Sequence, residues 1–255
     1  MRALVFLDLD DTLFQSLKKC PVEQDLYAAA YLRDGQTHSF MTPKQQALWQ
    51  LLAVNATLIP TTARDRDALS RVHLPFQSFS IINYGGVILM PDGTLDADWQ
   101  QRMEPLLQAA IPDLESLLTV ARDFSEREHL ALRIRIIEDS GHPFYLVAKF
   151  QHDLSGDLDQ LQQRLIQPWI NDHDGYRLHR NGNNLAVLPR TLGKEQAVRY
   201  LIERLRSEGE ELLTIGIGDS LIDGAFMAEC DYSVLPQGSQ LFAEIFRRFL
   251  LETGY

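Results

Sequence analysis

Residues 3–12 read Ala-Leu-Val-Phe-Leu-Asp-Leu-Asp-Asp-Thr, and this stretch decides the fold. Ala3 to Leu7 is apolar without alternation, as expected of a strand buried on both faces of a parallel sheet. The run stops in a cluster of acids, Asp8, Asp10 and Asp11. Doubly wound sheets bind their ligands at the carboxyl ends of their strands, so carboxylates placed there mark where chemistry is to be sought.

Working outward, Thr42-Pro43 is a helix start, a hydroxyl cap followed by proline at the first helical position, and Leu48, Leu51 and Leu52 carry that helix to about Val54. Ala56 to Pro60 predicts a second strand, Asp67 to Val72 a short helix, and Ser80 to Asn83 a third strand ending at Gly85-Gly86. After Gly193 the same rhythm returns: a helix over Lys194–Leu205, a buried strand over Leu212–Gly218, a helix over Ile222–Glu229, a strand over Tyr232–Leu235 and a last helix over Ser239–Leu251. Strand and helix in alternation mean an α/β fold with a doubly wound, Rossmann-like parallel sheet, assigned to residues 1–90 and 190–255.

Between them, residues 91–189 change character. Leu132 to Ile136 alternates apolar and basic residues, the pattern of a half-exposed antiparallel strand, with Phe144 to Phe150 as its partner. Leu158, Leu161 and Leu165 mark a helix face. Tyr176 to Arg180 and Leu185 to Leu188, joined at Asn181-Gly182, predict a hairpin with a primed turn. This block reads as a smaller α+β cap inserted into the first domain. A second insertion, Phe14 to Met41, carries the turn signal Arg33-Asp34-Gly35-Gln36 and predicts a hairpin beside the acidic cluster, either shaping substrate choice or serving as loop decoration.

The composition, 45 % hydrophobic and 23 % charged over 255 residues, is that of a globular protein. A net charge of -11, with basic residues scattered and only Arg247 and Arg248 adjacent near the end, argues against nucleic-acid binding. It also means that an anionic substrate needs local cations. Cys20 and Cys230 lack metal-ligand spacing and read as thiols in a reducing compartment. Acids interrupt the first apolar run and no later run approaches about 18 residues, so neither a signal peptide nor a membrane span is expected, and the location expected is cytoplasmic.

Four short motifs carry the chemistry: Asp8-Leu9-Asp10-Asp11-Thr12, Thr61-Thr62-Ala63-Arg64, Gly193-Lys194-Glu195, and Gly218-Asp219-Ser220-Leu221-Ile222-Asp223. Carboxylates crowded at strand ends repel one another unless a cation sits among them, and oxygen ligands without His or Cys select Mg²⁺. In order and position the four motifs resemble those of the haloacid dehalogenase superfamily. More weakly, the inserted block resembles the type-IIB caps of sucrose-phosphate and trehalose-phosphate phosphatases.

The resemblance implies an Mg²⁺-dependent phosphatase acting on a small-molecule phosphomonoester, a sugar phosphate or phosphorylated glycoside, as a monomer or small homo-oligomer. Asp8 would be nucleophile and metal ligand. Asp10 would be acid and base, its backbone carbonyl also on the metal. Thr62 would hold the transferring phosphoryl group, with Thr61 structural, and Lys194 would balance the charge of the intermediate. Asp219 would complete the metal shell, and Asp223 would hold either the metal or Lys194. Arg64 either touches substrate or is a solvated helix-start residue. In the cap, Arg180 and Asn184, within the polar cluster of His179, Asn181 and Asn183, are the candidate substrate contacts, the alternative being a turn with solvated flanks. His129, His142 and His152 read as surface residues, and Trp49, Trp99 and Trp169 as packing residues. Two rivals use the same fold: a phosphomutase returning the phosphoryl group to a sugar, and a non-catalytic phosphosugar-sensing module. The second is expected to lack one of Asp8, Asp10, Lys194 and Asp219, all of which are present.

Overall fold

The computed structural model describes residues 1–21, 25–139, 141–151 and 155–253; His152 lies outside them. In chain order the elements are β1 (Arg2–Leu7), β2 (Gln15–Ser16), β3 (Tyr27–Tyr31), β4 (Thr37–Met41), α1 (Pro43–Asn55), β5 (Thr57–Pro60), α2 (Arg66–Ser70), β6 (Ser80–Ile82), β7 (Val87–Leu89) and α3 (Ala97–Arg127). There follow β8 (Leu132–Asp139), β9 (His142–Phe150), α4 (Ser155–Leu161), a π-helical turn (Gln162–Ile166), α5 (Gln167–Asp172), β10 (Tyr176–Asn181) and β11 (Asn184–Pro189). The chain ends with α6 (Lys194–Ser207), β12 (Leu212–Ile217), α7 (Leu221–Met227), β13 (Tyr232–Val234) and α8 (Gln240–Thr253). It folds as two compact units, residues 1–99 with 193–255, and residues 100–192.

The first unit is built on a parallel sheet in the order β13-β12-β1-β5. Leu4, Val5, Phe6 and Leu7 of the central strand are wholly buried. At about 1.5–3 kcal/mol for each large side chain, their burial fixes β1 between its neighbours. Val5 and Leu7 pack with Met41, Trp49, Leu58 and Ile217. Helix α1 starts in a full capping box, Thr42 accepting from Gln45 N at 3.3 Å and Gln45 Oε1 accepting from Thr42 N at 2.9 Å. The same Gln45 amide donates to the Thr12 carbonyl at 3.1 Å, which ties the helix to the acidic loop.

The insertion after the acidic loop forms a three-stranded antiparallel sheet, β2-β4-β3, with its turn at the Asp34-Gly35 signal. The third strand of the sequence reading departs from expectation. β6 pairs antiparallel with β7 and meets β5 only through a bridge from Thr61 to Ile81. It ends at Ile82 because Asn83, Tyr84 and Gly85 all take left-handed backbone conformations (φ +51°, +55° and +92°), which break a strand. The unit extends past residue 90 to Trp99, whose indole donates to Gly85 O at 3.0 Å and whose ring lies 5.0 Å from that of Tyr200.

The second unit is a four-stranded antiparallel sheet, β10-β11-β9-β8. One face carries Ile134, Leu146, Ala148, Tyr176, Leu185 and Val187, packed with Leu114, Leu117, Ala121 and Phe124 of α3 and with Leu158, Leu161 and Ile166. Arg133 and Arg135 alternate with Ile134 and are exposed, as the period of two requires. The hairpin turns at Gly182-Asn183 rather than Asn181-Gly182. Asn181 is the last strand residue, paired with Asn184, and Gly182 (φ +52°) takes the first central position, where a type II′ turn needs glycine. Among the described residues no helix is long and apolar enough to cross a membrane.

Candidate active site

The ends of β1, β5 and β12 converge because the strands are in register: Asp8 N donates to Ile217 O at 2.8 Å and Thr61 N to Leu7 O at 2.8 Å. That brings Asp8, Thr62 and the start of the Gly218-Asp219 loop to one edge of the sheet. Lys194, the first residue of α6, is buried among them. Its ammonium donates to Asp8 Oδ1 at 2.6 Å and to Asp223 Oδ1 at 2.7 Å. Asp223 is held from its other side by Ser220, whose backbone N donates to Oδ2 at 3.0 Å. Asp8, Asp219 and Asp223 each place an oxygen within 4.8 Å of the others.

The neighbouring groups are orderly. Arg64 forms a two-pronged pair with Asp10, Nε to Oδ2 and Nη2 to Oδ1, both 2.8 Å, and its third nitrogen donates to Ala68 O. Thr61 is buried and donates to Ile59 O at 3.2 Å. Thr62 accepts from Arg64 N at 3.1 Å, so its own proton remains to be donated. Arg64 therefore fits neither of the two sequence readings fully, being turned to a carboxylate of the site and largely buried. Asp10 keeps its carboxylate on Arg64 and outside the Asp8, Asp219, Asp223 cluster.

Two features escaped the sequence reading. Thr12 donates within reach of both Asp8 Oδ2 and Asp219 Oδ1, 3.2 Å from each, and so joins the first motif to the last. Gly85 allows the backbone to approach the start of α6: a Cβ there would lie 2.3 Å from the Gly193 carbonyl oxygen. A side chain at Gly85 would collide with the backbone that leads into α6.

The electrostatics suit a cation. Fully ionised, the three carboxylates and one ammonium of the buried cluster carry -2, since Asp10 is paired with Arg64 and Asp11 with Lys19. Burial pushes the Asp8 carboxyl well above its ordinary value, with Asp223 and Asp219 adding to the rise against the pull of Lys194. Burial, then Asp223 and Asp11, push Asp219 up to about 6. For Asp223 burial is outweighed by the Lys194 charge and the bonds from Lys194 and Ser220, and it lies below the ordinary value. Burial would lower Lys194, but Asp223 and Asp8 outweigh it and hold it charged. Hard oxygen donors with a residual charge of -2 fit a divalent cation such as Mg²⁺.

A pH dependence follows. Asp219 titrates near 6 in the folded protein without metal and near 3.8 unfolded. A raised carboxyl stabilises the folded state fully below its unfolded value and loses that contribution as pH rises through the folded one. In chelator, wild-type Tm is expected to fall from about pH 5 to about pH 7.5 relative to Asp219→Asn, by a few degrees. With Mg²⁺ the trend reverses, because the cation binds the ionised form. Thermal melts at both pH values check this; a chelated wild type that tracks Asp219→Asn contradicts it.

In the second unit, Arg180 and Asn184 part company. Arg180 pairs across the hairpin with Leu185 on the helix-packed face, donating to Gln162 at 3.0 Å, Asp159 at 3.1 Å and Gly182 O at 3.1 Å. Asn184 lies on the opposite parity with Asn181 and His179, and its Oδ1 is buried without a hydrogen-bond partner. His129 is exposed and His142 partly so, while Trp49 and Trp99 are buried and Trp169 packs on the second core. Cys20 and Cys230 are free thiols.

Comparison with known proteins agrees with this geometry. The family model for sucrose-6F-phosphate phosphohydrolase matches residues 1–240. No curated protein matches the sequence. Among solved structures, the chain is similar to the sucrose-phosphatase of Synechocystis sp. PCC6803 in complex with sucrose and phosphate, at 19 % identity over 99 % of both chains with a TM-score of 0.53. It is similar to the C-terminal domain of the C. albicans trehalose-6-phosphate phosphatase, at 15 % identity over 89 % of this chain and 73 % of that one, TM-score 0.56. A haloacid dehalogenase-like hydrolase from B. subtilis matches at 14 % identity over 92 % and 95 %, TM-score 0.51. At these identities the structures establish the shared fold, a parallel core with additional antiparallel sheets. The family match over nearly the whole chain establishes the rest: the chain belongs to the sucrose-6F-phosphate phosphohydrolase family of phosphatases.

Proposed function

We propose that this protein is a cytoplasmic, Mg²⁺-dependent phosphomonoester hydrolase acting through an aspartyl-phosphate on Asp8, with a sucrose- or trehalose-phosphate-like sugar phosphate as substrate. The observation that carries this reading is the buried cluster of Asp8, Asp219 and Asp223 around Lys194, with its residual charge of -2. The cellular location rests on the two free thiols and on the acidic, globular composition.

Asp8, Asp219 and Asp223, with the Asp10 carbonyl, would hold Mg²⁺. When bound, it supplies charge that screens phosphate from the attacking carboxylate. An Asp8 oxygen forms a bond to phosphorus as the ester P–O bond breaks, and the Asp10 carboxyl gives its proton to the leaving alkoxide. Asp10, whose carboxylate Arg64 holds in this structure, first turns from Arg64 and takes up a proton from solvent, the one it then gives to the alkoxide. Water then attacks phosphorus, Asp10 takes its proton, and the Asp8–phosphorus bond breaks to release orthophosphate. Lys194 offsets the charge of Asp8 in both steps, and Thr62 donates its hydroxyl proton to a phosphoryl oxygen. Orthophosphate release from a panel of phosphomonoesters with Mg²⁺ tests the proposal; no release from any ester overturns it.

Residues 100–192 are proposed as the cap, reading the part of the substrate that is not transferred. The placement of the two candidate residues separates their expected effects. Asn184→Ala is expected to lower kcat/KM for the best sugar phosphate by about tenfold and to leave p-nitrophenyl phosphate, which has no hydroxyls, within about twofold. Arg180→Ala removes bonds within the unit and is expected to lower Tm and to affect both substrates alike. Equal losses for Asn184→Ala would assign that residue to folding instead.

A further inference from the structure

Helix α1 carries apolar residues on two opposite sides. Gln45, Trp49, Leu52 and Ala56 follow one another at intervals of four, three and four and face the rest of the unit: Trp49 is buried, and Leu52 and Ala56 pack on the same core. Pro43, Ala47, Leu51 and Val54 follow at intervals of four, four and three and share the other side, where all four are exposed. Leu51 is 63 % exposed and Val54 83 %; among the described residues only Met1 exposes more of a large apolar side chain than Val54 does. Scattered apolar residues on a surface need no explanation, but a row at intervals of three and four is the seam along which helices pair. Lys44 is the one charged residue among the 13 of α1, in a chain that is 23 % charged, so little on this side opposes burial.

The charges at the two ends of α1 indicate what fits there. Lys44 lies in the first turn, at the positive end of its own helix dipole, where a cation is disfavoured. The other end runs into Thr57, whose Oγ1 accepts from Arg2 Nε at 3.2 Å, and Arg2 Nη1 donates to Glu210 at 3.0 Å. Glu210 and the exposed Glu211 together outweigh Arg2 there. One end of the apolar row is therefore positive and the other negative. Such a surface complements itself when a second copy is turned end for end about a two-fold axis. The same turn lays each helix dipole against its opposite.

We propose that the exposed side of α1 pairs with the same side of a second copy of this chain, antiparallel across a two-fold axis. Pro43, Ala47, Leu51 and Val54 form the seam, and Lys44 of each copy lies against the Glu210-Glu211 end of the other. A helix of 13 residues is about 20 Å long, so the contact covers less than the ~800 Å² per partner of a standard interface, and the dimer is a weak one.

The experiment is sedimentation of the full chain over about 1–300 µM, with Tm measured on every variant as a check on folding. Wild type is expected to dimerise with a dissociation constant of roughly 10–100 µM. Leu51→Gln/Val54→Gln is expected to weaken the dimer about tenfold or more and to leave Tm within a few degrees, since both side chains are already in water. Lys44→Glu and Glu210→Lys, which bring like charges together in an antiparallel pair, are each expected to weaken it several-fold. An equimolar mixture of these two variants is expected to associate again, because every contact between a copy of one and a copy of the other then joins opposite charges. A wild type that stays monomeric throughout overturns the proposal and leaves the row to some other partner. A dimer indifferent to Leu51→Gln/Val54→Gln overturns it as well, by placing the contact elsewhere. Should that variant unfold, the two charge variants and their mixture decide. Loss in each without recovery in the mixture, or no loss in either, overturns the antiparallel pairing.

Discussion

Asp8→Asn is expected to lower the hydrolysis of every phosphate ester by about four orders of magnitude or more while leaving the fold intact. The amide keeps the size of the carboxylate and can still accept from Lys194, but it cannot form the bond to phosphorus. Two features make the loss diagnostic of chemistry rather than of damage. Lys194 keeps Asp223 as a charged partner, at 2.7 Å. Asp8 itself is a buried carboxyl pushed up by burial and by two neighbouring carboxylates, so removing its charge relieves repulsion when no metal is present. Tm in chelator is therefore expected to stay level or rise, and the gain in Tm on adding Mg²⁺ to shrink. Orthophosphate release and thermal melts on the same preparation check both. Hydrolysis within tenfold of wild type would remove Asp8 as the nucleophile; a collapsed Tm would mean that the variant reports on folding.

The site's strands were legible in the sequence because each has a signature that survives without neighbours. An unbroken apolar run stopping at an acid identifies β1, a largely apolar run leading to Gly218-Asp219 identifies β12, and alternation of Arg with Ile identifies β8 and shows which side of it is exposed. The same alternation held information that a reading by polar clusters passes over. In Tyr176 to Asn181, Tyr176 and Leu178 mark the core parity, so Arg180 falls on the helix side and His179 and Asn181 on the other. Other features depend on partners far away in sequence. Thr12 gains its role from Asp219, 207 residues on, and nothing local distinguishes it from a turn residue. Arg64 looks like a helix-start residue until the fold brings Asp10 to it, 54 residues away. Gly85 needs to be glycine because of Gly193, and the three successive left-handed residues that end β6 are stabilised by tertiary contacts rather than by propensity, Asn83 N donating to Arg64 O and Tyr84 N to Thr62 O. Motif order places the chemistry, while the groups that hold it in position appear only in three dimensions.

Lys194→Met is expected to combine the loss of activity with the largest loss of stability in the site. Lys194 is buried and compensates Asp8 and Asp223 at once, so its removal takes the cluster from -2 to -3 with nothing to replace it. Deleting one partner of a buried ion pair costs about 3–5 kcal/mol, because the other charge stays behind without compensation. Part of this is recovered as the carboxyls protonate, Asp8 and Asp219 already being raised in wild type. For a chain of this size such a cost corresponds to a fall in Tm of roughly 6–20 °C in chelator. Mg²⁺ is expected to restore more of the Tm in this variant than in wild type, since a more negative cluster attracts the cation more strongly. Activity is not restored with it, because the metal screens the cluster but cannot occupy the ammonium's position between Asp8 and Asp223. The decisive comparison is the double variant Asp8→Asn/Lys194→Met. If the destabilisation arises from uncompensated carboxylates, removing Asp8's charge as well should return several degrees of the lost Tm. Strict additivity of the two single changes would instead assign Lys194 a packing role, its stem over Phe226 with the ammonium 5.5 Å from the ring centroid, and would remove the charge argument on which the metal site rests.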